Sequence, residues 1–144
     1  MYPEELVVSM EEELTEVGFS PIKTAQAMAD HMNNHRGTTL LFVNSMCGCA
    51  GIGARLGIKM ALAASNHQPH HLITVFAGVD EHATAQAFEY TKPYPASSPA
   101  IALFKDGELV HFVERHQIKG TPPEMIATDL QNALEAHCQL SAVA

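Results

Sequence analysis

The chain has little positive charge: eight Lys and Arg stand against sixteen Asp and Glu in 144 residues, a net charge of −8 with histidines neutral. Broad nucleic-acid binding needs a basic surface that displaces counterions from phosphates, so this balance argues against it. It argues equally against electrostatic docking on anionic lipid. Long apolar runs are missing too, and no window approaches the ~18 consecutive apolar residues of a membrane span. The start lacks the basic-then-apolar pattern of a secretory signal. Its first basic residue is Lys23, preceded by Glu4, Glu5, Glu11, Glu12, Glu13 and Glu16. The expected setting is cytoplasmic, with no nucleic-acid or membrane partner. Cysteine is scarce as well: three, an odd number, too few for a disulfide framework. In a reducing compartment, closely spaced cysteines point to catalysis or metal binding rather than to structure.

What is present fits one α/β domain spanning residues 1–144. Hydrophobic residues make up 47% of the chain, enough for a sizeable core. Leu6, Met10, Leu14 and Val17 recur at helical spacing, with Gly18 as a stop, and Ala25, Met28, Ala29 and Met32 give a second helix ending near Gly37. Thr38 to Asn44 is β-branched and apolar, the pattern of a buried strand. Met46 to Ser65 reads as a helix with Leu56, Met60 and Ala63/Ala64 on its apolar face, followed by a strand over Leu72 to Ala77. Asp80 is the expected N-cap of a helix running to Tyr90. Ala100 to Lys105 and Glu108 to Val113 flank Asp106-Gly107, a hairpin signal. Thr121-Pro122-Pro123-Glu124 offers a capping box and an early proline to the last helix. Strands alternating with helices imply parallel pairing with helices on both faces, closed by the hairpin. That order is shared by the thioredoxin fold and by other α/β arrangements.

The chemistry concentrates in Asn44-Ser45-Met46-Cys47-Gly48-Cys49-Ala50-Gly51. This segment falls where a buried strand hands over to a helix, the carboxyl edge at which open α/β sheets place their sites. A helix N-terminus offers unpaired N–H groups and partial positive charge, both of which favour a thiolate. A disulfide between residues i and i+2 needs a bent backbone, which Gly48 can supply, and the small ring is expected to be strained and comparatively oxidising. Such a bond suits exchange rather than stability. The alternative is a soft-metal site, for Cu(I) or zinc, with the thiolates joined by some of the nine histidines. Against it, zinc ligands usually come in pairs two to four residues apart, and there is no second cysteine pair. The expectation is therefore no bound metal.

A second element is Ser97-Ser98-Pro99-Ala100, just before the hairpin. A proline leading a strand is ordinary, but a cis Ser98–Pro99 bond would turn a backbone edge toward the cysteine helix. Arg115 and His116 follow the last strand at the same end. Arg115 could bind a carboxylate bidentately and His116 could carry a proton to a leaving thiolate. Cys138, far along the last helix, reads as packing.

The stretch Ser98 to Val110 resembles the proline-led strand and hairpin of thioredoxins, which carry a tryptophan before a Cys-x-x-Cys pair. Here there is no tryptophan, and the pair is Cys-x-Cys. The whole chain instead resembles the bacilliredoxin family of thioredoxin-like proteins. The likeness runs from Leu6-Val7-Val8 and Glu13-Leu14-Thr15 through Gly37-Thr38-Thr39-Leu40 and Val43 to Ala50. It continues through Thr74 to Gly78, Ser97-Ser98-Pro99, Val110-His111-Phe112 with Arg115-His116, and Ala136-His137-Cys138. The resemblance implies a thioredoxin-like fold: a central mixed sheet of about four strands flanked by helices, with an N-terminal helical extension. It also implies an enzyme that removes low-molecular-weight thiols, notably bacillithiol, from mixed disulfides on cytosolic proteins, with isomerase activity also ascribed to the family. Cys47 matches the nucleophile, Cys49 the resolving cysteine, and Ser98 with Pro99 the cis-proline loop. Gly48, Ser98, Pro99, Arg115 and His116 are then the expected substrate contacts. No cofactor is implied beyond the small thiol as co-substrate, and a disulfide reductase would recycle the enzyme. After Arg55 the family pattern leads one to expect proline where Leu56 stands, which leaves that helix unkinked.

Overall fold

A computed structural model describes residues 3–34, 36–46 and 48–140. Its elements are α1 (Glu4–Thr15), β1 (Ser20–Pro21), α2 (Ala25–Asn34), β2 (Thr38–Asn44), α3 (Gly48–Ala64), β3 (His71–Phe76), α4 (Glu81–Glu89), β4 (Ala100–Lys105), β5 (Glu108–Val113), α5 (Arg115–Ile118) and α6 (Pro123–His137). The strands form one mixed sheet in the order β1-β3-β2-β4-β5. β3 runs parallel to both β1 and β2, β4 is antiparallel to β2, and β5 is antiparallel to β4. The sheet thus has five strands rather than the four expected. The extra one, β1, is two residues long and contains a proline, so it has no periodicity to reveal it. Among the described residues no helix is long and apolar enough to cross a membrane.

β2 is buried along its whole length because helices cover both faces. Its alternation sorts the core: Leu40 and Phe42 join α3, α5 and α6 on one side, whereas Leu41 and Val43 meet Met28 and Met32 of α2 and Ala83 and Ala87 of α4 on the other. At the hairpin, Asp106 and Gly107 both take positive φ, 51° and 86°, as a tight two-residue turn requires.

Several local expectations are corrected. In α1 the buried residues are Val7 and Leu14, and Leu6 and Val17 are exposed, since only one narrow strip of this helix touches the body. In α3 the buried strip is Ala50, Ala54, Ile58 and Ala61; Leu56, Met60, Ala63 and Ala64 face outward. Small residues line the buried side because α6 packs closely against it. A Cβ on Gly57 would lie 2.7 Å from Ile126 Cγ2 and 3.3 Å from the Pro123 carbonyl oxygen. Asp80 is the N-cap residue of α4, as expected, but its carboxylate makes no cap hydrogen bond; it accepts the Phe76 N–H at 3.1 Å and closes the turn out of β3. Nor does the Thr121 box form, because α6 starts at Pro123 and the Thr121 hydroxyl donates to the Gln117 carbonyl at 2.7 Å. A capping box does form one helix earlier, between Glu114 and Gln117 at the start of the short α5.

The α3–α6 contact yields a paired prediction. Gly57→Ala forces the helices apart and should destabilise the fold by about 1–3 kcal/mol, the usual cost of overpacking. At Gly53 a Cβ would meet only Ile126 Cδ1, at 3.9 Å. Gly53→Ala should therefore stabilise by up to about 1 kcal/mol through helix propensity. Urea denaturation of both variants checks the opposite signs.

Candidate active site

β2, β4 and β5 end or begin together at one edge of the sheet. Val43 pairs with Ala100 and Ile101 with Val113, so the chain after Asn44, the chain before Ala100 and the chain after Val113 emerge side by side. The Ala77 N–H donates to the Asn44 carbonyl at 3.0 Å, which ties the end of β3 to the same edge. α3 begins here at Gly48, with Cys49 in its first turn. Cys47, the expected nucleophile, lies outside the described residues.

Cys49 is a free and exposed thiol, not the sheltered one that a resolving role suggests. The reason is its position in the helix. Ala50 and Gly51 take the buried side of the first turn, and Cys49 shares the outer side with Ile52, which is also exposed. Gly48 is exposed as well. The Ser98–Pro99 bond is cis, as expected, and so is Lys92–Pro93, which the sequence did not signal. Pro99 is buried and Ser98 half-buried. Arg115 opens α5, and its backbone N–H donates to Ser97 Oγ at 3.3 Å, so the Ser97–Pro99 segment and the Arg115 turn are joined. The His116 side chain is 74% exposed, with Nε2 4.0 Å from Glu114 Oε2. The edge therefore collects Gly48, Cys49, Ser98, Pro99, Arg115 and His116.

Cys138 is excluded from that group. It is buried in the core, beside Thr38 and Lys105. Thr38 starts β2 and Asn44 ends it, which puts Cys138 a full strand length, about 20 Å, from the site. Burial pushes the Cys138 thiol above its ordinary value, with Thr38 and Lys105 pulling the other way. Among the described residues no three His, Cys, Asp or Glu side chains gather as metal ligands. A concavity of about 810 Å³ lies beside α4, lined by Gly78, Phe88, Tyr94 and Ala96 among others, and includes none of the expected site residues.

Sequence reading missed three residues beneath the edge. Arg55 of α3 is buried, with Nη1 donating to Asn44 Oδ1 at 3.0 Å and to the Ser45 carbonyl at 3.1 Å. Its Nε lies 3.2 Å from Glu13 Oε2 of α1, an ion pair outside hydrogen-bond alignment. Lys59 pairs with the other Glu13 oxygen at 3.2 Å. Burial lowers the Arg55 guanidinium from its usual range, and Glu13 opposes that shift. The available signal was an arginine inside a helix otherwise charged only at Lys59.

Solved structures place the fold. A Fasciola hepatica thioredoxin superposes with a TM-score of 0.56 at 14% identity, covering 83% of this chain and 99% of that one. A mutant thioredoxin from Halobacterium salinarum gives 0.56 at 15% identity, covering 85% and 94%. The fold is thioredoxin-like, and matches to a disulphide isomerase family and to bacilliredoxins make the chain a thiol–disulfide oxidoreductase. Residues 2–138 match the profile of the Disulphide isomerase family. A bacilliredoxin from Cytophaga hutchinsonii is 53% identical over 91% of this chain and 96% of its own length. Bacilliredoxins from Bacillus cereus and Shouchella clausii are 44% and 45% identical, covering 95% and 96% of this chain and 95% and 94% of their own. The chain belongs to the bacilliredoxin family.

The contrast between the two described thiols is testable. Native protein should lose Cys49 to an aromatic disulfide reagent rapidly, whereas Cys138 should react only through opening of the fold. Linkage gives the sign for pH. A thiol with a raised folded pKa contributes stability below its unfolded value near 9.0, and that contribution fades as pH climbs toward the folded value. The stability advantage of wild type over Cys138→Ala should accordingly narrow above pH 9.0, as read from denaturation midpoints.

Proposed function

We propose that the protein removes a low-molecular-weight thiol of the bacillithiol type from mixed disulfides on cytosolic proteins, using Cys47 and Cys49. The observation that carries the reading is an exposed, free Cys49 in the first turn of α3, two residues after Cys47, in a chain of the bacilliredoxin family. Cys47 thiolate attacks the mixed disulfide; the substrate protein leaves as thiolate, takes a proton, and the small thiol stays on Cys47. Cys49 thiolate then attacks the Cys47 sulfur and expels the small thiol, which closes the Cys47–Cys49 ring. A disulfide reductase, or two further equivalents of thiol, returns the ring to the dithiol. The N–H groups at the start of α3 favour the attacking thiolate. Exposure of Cys49 is compatible with this order, because the second step is intramolecular and needs proximity rather than shelter.

The remaining edge residues have assigned parts. Gly48 lets the backbone bend between the two sulfurs. Ser98 and Pro99, at the start of β4, offer a backbone edge to an extended substrate. Arg115 holds a carboxylate of the small thiol as a bidentate pair, and His116, exposed beside Glu114, carries the proton to the leaving thiolate. Recognition of an anionic thiol must come from such local contacts, since the chain's net charge of −8 repels it at a distance.

Intact-mass analysis after incubation with a thiolated model protein tests the assignment. Cys49→Ala should accumulate an adduct of the small thiol on Cys47, Cys47→Ala should fail at the first step, and Cys138→Ala should match wild type. Full activity in Cys47→Ala, or an adduct on Cys49 in wild type, would reverse the two roles. Undiminished activity in both variants, with tight Cu(I) or zinc binding by the reduced protein, would favour the soft-metal reading. Because its ring is small, the couple should titrate as more oxidising than about −270 mV, the thioredoxin value.

A further inference from the structure

A buried guanidinium costs stability unless its partners repay the lost hydration, and α3 could have packed an apolar side chain at position 55. The contacts of Arg55 show what the charge does instead. Two of its three partners, Asn44 and Ser45, are the residues through which β2 enters the cysteine segment. Asn44 Oδ1 accepts from Arg55 and also from the Ser45 N–H at 2.9 Å, while Asn44 Nδ2 donates to the Met10 carbonyl of α1 at 3.3 Å. The entering turn is thus held at the N–H and the carbonyl of Ser45 at once. It also folds back against the helix it leads into, for a Cβ on Gly51 would lie 2.8 Å from the Ser45 oxygen and 3.1 Å from Arg55 Nη1.

We propose that Arg55 is a positioning residue for the Cys47-Gly48-Cys49 segment, acting through Asn44 and Ser45, with Glu13 of α1 as the counter-charge that keeps it in place. The proposal rests on the exchange reading of the cysteine pair. Closing a ring between residues i and i+2 demands a bent backbone, and a turn already fixed at Ser45 leaves less chain to order when the sulfurs meet. The clamp therefore favours the closed ring over the dithiol.

The test equilibrates the full chain, in a Cys138→Ala background, with glutathione and glutathione disulfide. Each ring closed reduces one glutathione disulfide to two glutathiones and removes two hydrogens from the protein, which intact mass reads directly. Arg55→Met should lower the ring-closing constant about tenfold, the scale of a lost charge-assisted hydrogen bond, or about 30 mV toward the oxidising side for a two-electron couple. Arg55→Lys should recover part of the loss, and Glu13→Gln should shift the constant less in the same direction. Lys92→Met, which breaks an exposed ion pair to Glu89 of α4, should leave it unchanged. Gly51→Ala separates positioning from mere stability. Alanine favours a helix, yet its methyl displaces the Ser45 carbonyl, so the constant should fall as in Arg55→Met. If Arg55→Met does not fold, Gly51→Ala and Glu13→Gln decide the matter. An unchanged constant in the folded variants, with wild type closing its ring, would overturn the positioning role alone. A wild type that closes no ring would overturn the exchange reading and the clamp together.

Discussion

Everything in this molecule is arranged around β2, seven residues buried on both faces and hydrogen-bonded along both edges. A strand so placed has no solvent to satisfy its backbone, so neighbouring strands must. It has no room for polar side chains on either face except where they find partners. That constraint puts helices above and below and pushes chemistry to the strand's ends. At one end, the Thr38 hydroxyl accepts the His70 N–H at 3.0 Å. At the other, Asn44 becomes the acceptor shared by the Ser45 N–H and the Arg55 guanidinium.

The order of elements was readable because it rests on signals that act locally. The apolar run of β2, the Asp106-Gly107 turn and the proline at the head of α6 need no tertiary context to fix their roles. Misreadings arose where two elements compete for one group. Asp80 stands at the N-cap of α4, but the Phe76 N–H takes its carboxylate. Thr121 has the cap residue's chemistry, but the Gln117 carbonyl lies closer to hand. In α3, hydrophobicity pointed to Leu56 and Met60 as the buried face, while close approach of α6 selected alanine and glycine instead. Size, not polarity, decided which side went in.

The candidate site was legible to the same degree. Cys49, Ser98, Pro99 and Arg115 announce themselves by residue type and by position at strand ends, and the strand register brings those ends together. Asn44, Arg55 and Glu13 did not, because their function lies in touching one another across 11 and 42 positions of sequence. No periodicity encodes a contact between a strand end, a helix middle and a separate N-terminal helix. The exposure of Cys49 was likewise invisible, since it depends on which side of the first turn of α3 the fold covers, and Ala50 and Gly51 take that side.

The attachment of α1 bears on how small this protein can become. Helices added to the front of a fold are usually read as removable, and trimming them is a common route to a minimal scaffold. Here Met10 and Glu13 hold the far side of Asn44 and Arg55. Cutting α1 away would strand a buried cation and open the turn it braces. Helix and arginine are therefore one module, and a shortened version would have to give up both together, replacing Arg55 with an apolar residue in the same step.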